Sequence, residues 1–404
     1  MKNNEKFCMH LVGEQPIPVY LVAKNLPADV SHILLCTQKT KRVANNIRHT
    51  LNKNGFSAKK IEELNAGELD IPALVDNYKA VIKKYGIEYK NLYFNVTSGT
   101  KPMFAAVYQL SPDITPLYLD TNSRSVMTMA NDYKKEQISN FLRIEEFFNI
   151  AGYDSKYFYV TDNSENLSGQ DLVSLKEQSY KMIEDRESLL HKIYNSFFVN
   201  KISEKDSNFI FDVKKNDRKT ILAFLRKKVP DLPENFFPTE FNLGDRIINE
   251  RLKKISDIRM QAFFPGGWFE EYAYNNLKKS GEKSGSIKEI QISCKIEKRE
   301  NIESGVHDKQ ELDVVYTDGI NLFIVECKCI KESAKQGNFA QKLESIASKV
   351  GGAFSKGIFL YAKDNTVSEA EEAKIRVSKN LYLFRNKKEI DDFIASPFES
   401  LKRK

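Results

Sequence analysis

The sequence has few cysteines and no long apolar run, and each shortage argues against a class of protein. Its five cysteines form no CxxC pair and no Cys/His cluster with the spacing of a zinc site, so neither a disulfide scaffold nor a zinc ribbon is indicated. No apolar stretch approaches the roughly 18 residues of a membrane span, and the amino terminus lacks the apolar core of a signal peptide. We therefore expect a reduced, cytoplasmic protein with no membrane segment.

What the chain does contain is typical of a globular protein with two or three domains. Its 404 residues exceed the roughly 100 to 200 residues of an ordinary domain. With 41% hydrophobic and 29% charged residues, 12 prolines and 18 glycines, extended disorder and low-complexity repeats are disfavoured. The net charge of +7 permits contact with a polyanion without demanding one.

The first third of the chain alternates strand and helix patterns. Apolar runs of strand length occur at KFCMHLV, SHILLC, NLYFNV and TPLYL. Helical periodicity occurs between the first three of these runs, in the segments VANNIRHTLNKNG and IPALVDNYKAVIKKYG. This order predicts a mostly parallel sheet covered by helices on both faces, whose ligands bind beyond the carboxyl ends of the strands.

Two loops at those strand ends combine hydroxyl side chains with lysine at the start of a helix, one over residues 37–41 and one over residues 97–101. Backbone N–H groups and the helix dipole favour an anion at such turns, and Gly99 would let a phosphate approach the backbone. In one loop alone the hydroxyls could equally be helix caps. Two such loops on one sheet favour a phosphorylated ligand, although neither GxGxxG nor GxxxxGK[ST] is present to indicate a dinucleotide or ATP.

These loops carry a resemblance to a known family. HLVGEQ at residues 10–15 with Pro18, NVTSGTKPM at residues 95–103, and Leu119-Asp120 resemble the CRISPR-associated Rossmann fold (CARF) domain over about the first 150 residues. A hairpin predicted from SVMTM and KEQIS and a helix predicted in FLRIEEFFNIAGY agree with it. The resemblance implies a homodimer that binds a cyclic oligoadenylate across its twofold axis, with cyclic tetra-adenylate favoured over cyclic hexa-adenylate. By the same resemblance, the ligand-binding residues are Gly13, Glu14, Gln15, Thr37, Lys41, Thr97, Ser98, Gly99, Thr100 and Lys101.

The middle of the chain, residues 151–255, predicts a helical connector. Helical periodicity is present in LVSLKEQSYKMIEDRESLLHKIYNSFF and DRKTILAFLRKKV, and a proline-punctuated loop follows. Basic residues between positions 214 and 254 could contact a nucleic-acid backbone, but the interspersed acids favour a solvated helix face.

The strongest chemical signal lies in two β-rich runs, ELDVVY and INLFIVECKC, around Asp318-Gly319. They predict a β-hairpin in which Glu326 and Lys328 share one face. A two-residue turn would place Asp313 opposite Ile324 and diagonal to Glu326. Neighbouring buried carboxylates require a cation, and oxygen ligands suit Mn²⁺ or Mg²⁺, whereas an isolated Glu-x-Lys in a strand would be a surface ion pair.

The spacing Asp-x12-Glu-x-Lys resembles the PD-(D/E)xK motif of restriction-like nucleases, with Leu312 at the proline position. A helix opening at GGWFEEY and the later helix, strand, helix and strand match the order of the restriction-endonuclease core. The resemblance implies that Asp313, Glu326 and the helix glutamate Glu270 hold the metal and that Lys328 completes the catalytic set. Glu270 is preferred over Glu271 because it shares a helix face with apolar residues, whereas Glu271 lies on a more polar face.

We therefore predict an α/β protein with three parts: a Rossmann-like CARF sensor over residues 1–150, a helical connector over 151–255, and a restriction-endonuclease-like domain over 256–404. The combination resembles the accessory nucleases of type III CRISPR systems, which implies metal-dependent cleavage of DNA or RNA when the ligand binds. One alternative is a ligand-responsive nucleic-acid-binding regulator whose nuclease-like domain does not cut. Another is a small-molecule enzyme built on the first sheet. The residues do not decide whether the substrate is DNA or RNA, or whether it is single- or double-stranded. They also do not decide whether the sensor degrades its ligand.

Overall fold

The computed structural model describes residues 5–64, 69–129, 133–156, 169–185, 267–305, 309–328, 338–362 and 368–403, with residues 187, 188, 190, 191, 194, 242–243 and 246–247 between them. These residues form a seven-stranded sheet, a six-stranded sheet and a short two-stranded ribbon. No helix in this part of the chain is long and apolar enough to cross a membrane.

The first sheet is mixed and mostly parallel. Its strands are β1 (Phe7–Leu11), β2 (Ser31–Cys36), β3 (Ala58–Glu63), β4 (Leu92–Asn95), β5 (Thr115–Asp120), β6 (Ser125–Thr128) and β7 (Lys134–Gln137). The spatial order is β3-β2-β1-β4-β5-β6-β7, in which β1 to β5 are parallel and the last two strands form an antiparallel hairpin. The predicted Rossmann-like sheet and its hairpin are confirmed, and β3 is an additional strand whose sequence AKKIEE lacks an apolar run.

Helices cover both faces of this sheet. They are α1 (Pro16–Asn25), α2 (Lys41–Lys53), α3 (Ile71–Lys84), α4 (Lys101–Tyr108) and α5 (Ile144–Ile150). The first two and α5 share one apolar cluster, whereas α3 and α4 contribute to another. The sequence pattern does not predict helix α1. Its residues 17–23 are all buried and therefore lack the alternation of apolar and polar faces that marks an amphipathic helix. Its Pro16 lies at the start of the helix, where the missing N–H costs little.

The second sheet has the order β15-β14-β13-β12-β11-β8. Its elements are β8 (Tyr153–Lys156), α6 (Gly169–Asp185), α7 (Trp268–Ser284), β11 (Glu289–Lys298), α8 (Arg299–Glu303), β12 (Lys309–Thr317), β13 (Leu322–Lys328), α9 (Phe339–Val350), β14 (Ser355–Tyr361), α10 (Glu369–Val377), β15 (Leu381–Phe384), α11 (Lys387–Ala395) and α12 (Pro397–Ser400), and the ribbon pairs β9 (Asn242–Leu243) with β10 (Arg246–Ile247). Strands β13, β14 and β15 are parallel to one another, whereas the pairs β8–β11, β11–β12 and β12–β13 are antiparallel.

The predicted connector contributes to this second domain. Strand β8, at its beginning, pairs with β11 at the edge of the sheet. Helix α6 packs on α7, where the Asn275 side chain donates a hydrogen bond of 2.8 Å to the carbonyl oxygen of Ile183. The helix predicted in DRKTILAFLRKKV and nearly all the basic residues between 214 and 254 lie outside the described residues.

The loop between β12 and β13 joins the two domains. Arg124 of the first domain pairs with Asp318 at 2.7 Å, and the Leu142 N–H donates to the carbonyl oxygen of Gly319 at 2.9 Å. Gly319 has φ +91°, and a β carbon there would lie 2.5 Å from the Phe141 ring. Because no larger residue fits this approach, Gly319 allows the nuclease-like hairpin to dock directly on the first domain.

Candidate active site and sensor pocket

The β12–β13 hairpin has a different register from the predicted one. Thr317 pairs with Leu322 and Val314 with Val325, so the loop has four residues and the predicted two-residue turn is wrong. Asp318 stabilises the longer loop, since its Oδ1 accepts hydrogen bonds from the N–H groups of Ile320 and Asn321. The register moves by two positions, and if it is extended by one residue beyond the last pair it brings Asp313 opposite Glu326, not Ile324. A shift of two leaves every side chain on its original face.

The predicted charged groups meet at the end of this hairpin. Lys328 Nζ lies 2.7 Å from Glu326 Oε1, and each side chain is 20% exposed. The backbone N–H of Cys327 donates to Asp313 Oδ2 at 2.8 Å, which fixes the carboxylate between the two residues of the Glu-x-Lys pair. The site is therefore partly sheltered but open to a substrate.

Burial and two neighbouring carboxylates set the protonation behaviour of Asp313. Burial, and then the negative charges of Glu326 and Glu270, raise the pKa of Asp313 well above its usual value. Lys328 and the hydrogen bond from Cys327 oppose that rise in pKa without cancelling it. Three carboxylates crowded in this way have the chemistry of a divalent cation site, because bound positive charge would remove their mutual repulsion.

The structure also distinguishes the two glutamates of helix α7. Glu270 raises the pKa of Asp313 and accepts a 3.4 Å hydrogen bond from the Ser293 hydroxyl, so it lies at the site as predicted. Glu271 is fully buried and Asn275 is 3% exposed, so this more polar face of the helix is covered by protein and does not face solvent. Helix α6, which the periodicity of α7 alone could not reveal, covers that face of α7.

Ser293 is a site residue that sequence reasoning missed. It lies on β11 between Ile292, which pairs with Val314, and Cys294, which pairs with Leu312. That position is opposite Asp313, yet Ser293 has φ +49°, a left-handed conformation that costs a non-glycine residue about 1–2 kcal/mol. Strain of this kind often accompanies functional sites. No sequence signal marks it, since serine is ordinary in an antiparallel strand.

We expect Ser293→Gly to be more stable than Ser293→Ala by about 1 kcal/mol, measured by chemical denaturation of the metal-free protein. Both changes remove the hydroxyl that binds Glu270, but only glycine relieves the left-handed backbone. The same pair of changes at Ser155, in strand β8, is the control, because alanine is the more stable residue in an ordinary strand. Greater stability of Ser293→Ala would contradict the strain.

Helix α9 closes the site beside Lys328. Its first residue, Phe339, places a ring centroid 5.3 Å from Lys328 Nζ, within range of a cation–π contact. Glu326 and Phe339 thus hold the ammonium group from two elements. The Lys328 ammonium group is therefore held in one position for chemistry, which a fully solvated lysine would not be.

A pocket of about 590 Å³ lies at the carboxyl ends of the first sheet. Of the predicted ligand residues, all but Lys41 and Lys101 line it. Its lining is Val12, Gly13, Glu14, Gln15, Pro18, Thr37, Lys39, Thr40, Thr97, Ser98, Gly99, Thr100, Met103, Tyr118, Leu119, Thr121 and Phe354. The structure therefore brings both predicted loops, with the loop after β1, around one cavity.

The lysine at this pocket is not one of those predicted. Lys41 pairs with Glu63 of strand β3 at 2.8 Å, and Lys101 is an exposed residue at the start of α4 that does not line the cavity. Lys39 lines it instead and forms an ion pair with Glu14. The partner of Lys41 lies on the strand that the sequence did not reveal, which is why its position was mispredicted.

Tight backbone contacts shape the two loops. A β carbon on Gly13 would lie 3.1 Å from the Gly99 nitrogen, and the Ser98 hydroxyl donates to the Gln15 carbonyl oxygen at 3.3 Å. Gly99 has φ +95° and packs on Leu11. Thr100 caps α4 by accepting a hydrogen bond from the Met103 N–H, so its hydroxyl does serve as a helix cap.

A buried polar network supports the floor of the pocket. His10 and His32 ring nitrogens lie 3.0 Å apart, and the Asn95 amide lies 3.1 Å from the other His10 nitrogen. The Thr97 hydroxyl donates to Asn95 at 2.7 Å and accepts from the Leu119 N–H at 2.9 Å. Burial lowers the pKa of both histidines, that of His32 to about 4, so both are neutral near pH 7. The network therefore fixes the loop at Thr97.

Family models match both domains of the chain. Residues 8–147 match the family model described as the Card1 CARF domain, and residues 257–396 match the model described as the Card1-like endonuclease domain. No curated protein sequence matches the chain.

Similar folds occur among solved structures at 16% identity. Can2 from Sulfobacillus thermosulfidooxidans, solved in complex with cyclic tetra-adenylate, has a TM-score of 0.62 over 98% of this chain and 99% of that one. VC1899 from Vibrio cholerae has a TM-score of 0.63 over 99% of each chain. A type III CRISPR defence DNA nuclease activated by cyclic oligoadenylate has a TM-score of 0.51, and the match covers 94% of this chain but 48% of that chain. At this identity the likeness shows a shared fold.

Proposed function

Since this chain joins a Card1 CARF domain at residues 8–147 to a Card1-like endonuclease domain at residues 257–396, we propose that it is a metal-dependent endonuclease of type III CRISPR defence that cyclic tetra-adenylate activates. The observation that carries this proposal is the convergence of Asp313, Glu326 and Lys328, joined by Glu270, at the end of one hairpin. The sensor pocket in the other domain supplies a place for the activator.

The residues of the endonuclease site fit phosphodiester hydrolysis. Asp313, Glu326 and Glu270 are the oxygen donors that would hold Mn²⁺ or Mg²⁺, and a bound divalent ion would stabilise negative charge on the phosphodiester and make a water more acidic. Lys328 would orient the attacking water or neutralise the charge that develops on the phosphate oxygens. Ser293 orients Glu270 through its hydroxyl, and the Cys327 N–H orients Asp313.

The sensor pocket fits a phosphorylated ligand with bases. It combines hydroxyl groups, the ammonium group of Lys39 and the aromatic rings of Tyr118 and Phe354. Can2, whose fold is similar, was solved with cyclic tetra-adenylate, which favours that ring over cyclic hexa-adenylate. A cyclic ligand of repeated units would be bound most simply by two copies of the chain about a twofold axis, so we propose a homodimer.

The ligand can activate cleavage only by binding the active arrangement more tightly than the resting one. Rotation of the two subunits about the ligand, which would align their endonuclease sites, is the route we propose. The cytoplasm is the expected compartment, in keeping with the buried thiols of the described cysteines Cys8, Cys36, Cys294 and Cys327.

The regulator alternative predicts ligand binding without cleavage. It is disfavoured because Asp313, Glu326 and Lys328 are all present at the end of one hairpin, where Glu326 pairs with Lys328 and the Cys327 N–H between them binds Asp313. The small-molecule enzyme alternative is disfavoured because the sequence carries neither the GxGxxG nor the GxxxxGK[ST] fingerprint of a cofactor or nucleotide site.

The experiment that tests the function is cleavage of labelled single-stranded DNA, single-stranded RNA and supercoiled plasmid in Mn²⁺, with cyclic tetra-adenylate, with cyclic hexa-adenylate and with neither. We expect cleavage of at least one substrate only when cyclic tetra-adenylate is present. Calorimetry on the same samples reports whether each ring binds. Binding without any cleavage would favour the regulator, and cleavage with the other ring would correct the activator.

A further inference from the structure

One turn of the endonuclease domain reaches the sensor pocket. Residues Gly352–Phe354 form a single 3-10 turn between helix α9 and strand β14. Phe354 lines the pocket of the CARF domain and is half-buried against the apolar cluster shared by the two domains. Every other residue that lines the described pocket belongs to the CARF domain, whereas Phe354 belongs to the endonuclease domain.

The turn packs closely on the pocket wall. Gly352 has φ +56°, and a β carbon there would lie 2.5 Å from the side-chain amide of Gln15. Gln15 lines the same pocket and precedes helix α1. The contact leaves no room between the turn and the wall, so a ligand that pushes Gln15 toward the turn, or that binds Phe354 within it, acts on the turn.

Both elements that leave the turn lead to the endonuclease site. Helix α9 spans twelve residues, about 18 Å, and its far end places Phe339 against the ammonium group of Lys328. Strand β14 pairs with β13, where Phe359 is opposite Glu326 and Tyr361 is opposite Lys328. A displacement of the turn is therefore transmitted along a rigid helix and a paired strand to the two residues of the Glu-x-Lys pair.

We propose that Phe354 is a ligand-contacting residue, supplied to the sensor pocket by the endonuclease domain of the same chain, and that the Gly352–Phe354 turn couples pocket occupancy to Lys328 and Glu326. The proposal rests on the function proposed above, in which the pocket binds a cyclic oligoadenylate. The Phe354 ring takes an adenine base by stacking, a contact that every base can make through its π face.

The test compares variants of Phe354 in the full-length protein, with the affinity for cyclic tetra-adenylate measured by calorimetry and cleavage measured at saturating ligand. Phe354→Ala and Phe354→Leu both lose the ring, and we expect each to weaken ligand affinity about tenfold. Phe354→Tyr keeps the ring and retains affinity within about threefold. At saturating ligand, the alanine and leucine variants cleave more slowly than wild type because the bound ligand no longer stacks on a side chain of the turn.

The matched control is Phe384→Ala. Phe384 is also a half-buried phenylalanine of the endonuclease domain, but it stacks on Phe393 and lies outside the pocket lining. It should leave ligand affinity unchanged. If Phe354→Ala does not fold, the leucine and tyrosine variants carry the test, since both preserve most of the side-chain volume.

The outcomes separate this proposal from the proposed function. Wild-type affinity in Phe354→Leu overturns the ligand contact while the function stands. Weak binding with full cleavage at saturating ligand overturns the coupling and leaves the contact. No binding of cyclic tetra-adenylate by the wild-type protein overturns the proposed function and this inference with it.

Discussion

Glu326→Gln should lower the rate of nucleic-acid cleavage by at least ~10³-fold at saturating activator, with the affinity for cyclic tetra-adenylate unchanged. The change keeps the size of the side chain and removes the charge that pairs with Lys328 and that a divalent cation requires. Cleavage is measured by initial rates in Mn²⁺ and affinity by calorimetry. Because Glu326 lies outside the sensor pocket, its replacement should change the cleavage rate without changing ligand affinity.

Glu311→Gln is the matched control for that change. Glu311 is an exposed glutamate on β12, two residues before Asp313, so its replacement makes the same chemical change beside the site without entering it. Cleavage by this variant should remain within about twofold of wild type. Metal-dependent cutting by Glu326→Gln at a rate near that of the control would show that the site lies elsewhere.

Lys39→Glu should weaken the affinity for cyclic tetra-adenylate about 100-fold, because a phosphate would lose a charge-assisted hydrogen bond worth about 1.5–3 kcal/mol and meet a negative charge instead. Lys39 lines the pocket and pairs with Glu14, and the hydrogen bond from Lys39 lowers the pKa of that carboxyl. Reversal of its charge places two carboxylates at the mouth of the pocket. Calorimetry at several salt concentrations should show the loss shrinking as screening increases.

Lys90→Glu controls for the change of charge alone. Lys90 is 73% exposed, as Lys39 is, and pairs with Glu88 at 2.9 Å, but it lies outside the pocket. Its reversal creates the same pair of like charges at a distance from the ligand and should leave affinity unchanged. Equal weakening by both variants would mean that net charge, not a contact at Lys39, attracts the ligand.

The comparison of the two hairpin registers shows what alternation can and cannot predict. Because side chains alternate between faces with period two, Asp313, Glu326 and Lys328 were assigned to one face, and the two-residue error in the turn left that assignment intact. The turn itself was mispredicted because Asp318 binds the N–H groups of Ile320 and Asn321, a side-chain effect that outweighs the Asp-Gly preference for a tight turn.

The sensor pocket shows a similar division. Hydroxyl-rich loops at the ends of parallel strands indicated an anion site, and those loops do line one cavity. The lysine that lines this cavity is determined by β3. Glu63 on that strand pairs with Lys41 and holds its ammonium group away from the cavity. The strand sequence AKKIEE has four charged residues and no apolar run, so the sequence gives no sign of the strand that holds the partner of Lys41.

The sequence by itself determined the residue types and their local order: a sheet that ends in hydroxyl-rich loops, a hairpin with a carboxylate and a Glu-x-Lys pair on one face, and a helix glutamate placed before it. These follow from contacts between residues near in the chain, which periodicity reports. Tertiary structure alone decided the left-handed Ser293 opposite Asp313, the burial of Glu271 under α6, and the approach of Gly352 to Gln15. Those features join segments far apart in sequence, and their geometry depends on packing that no local pattern records.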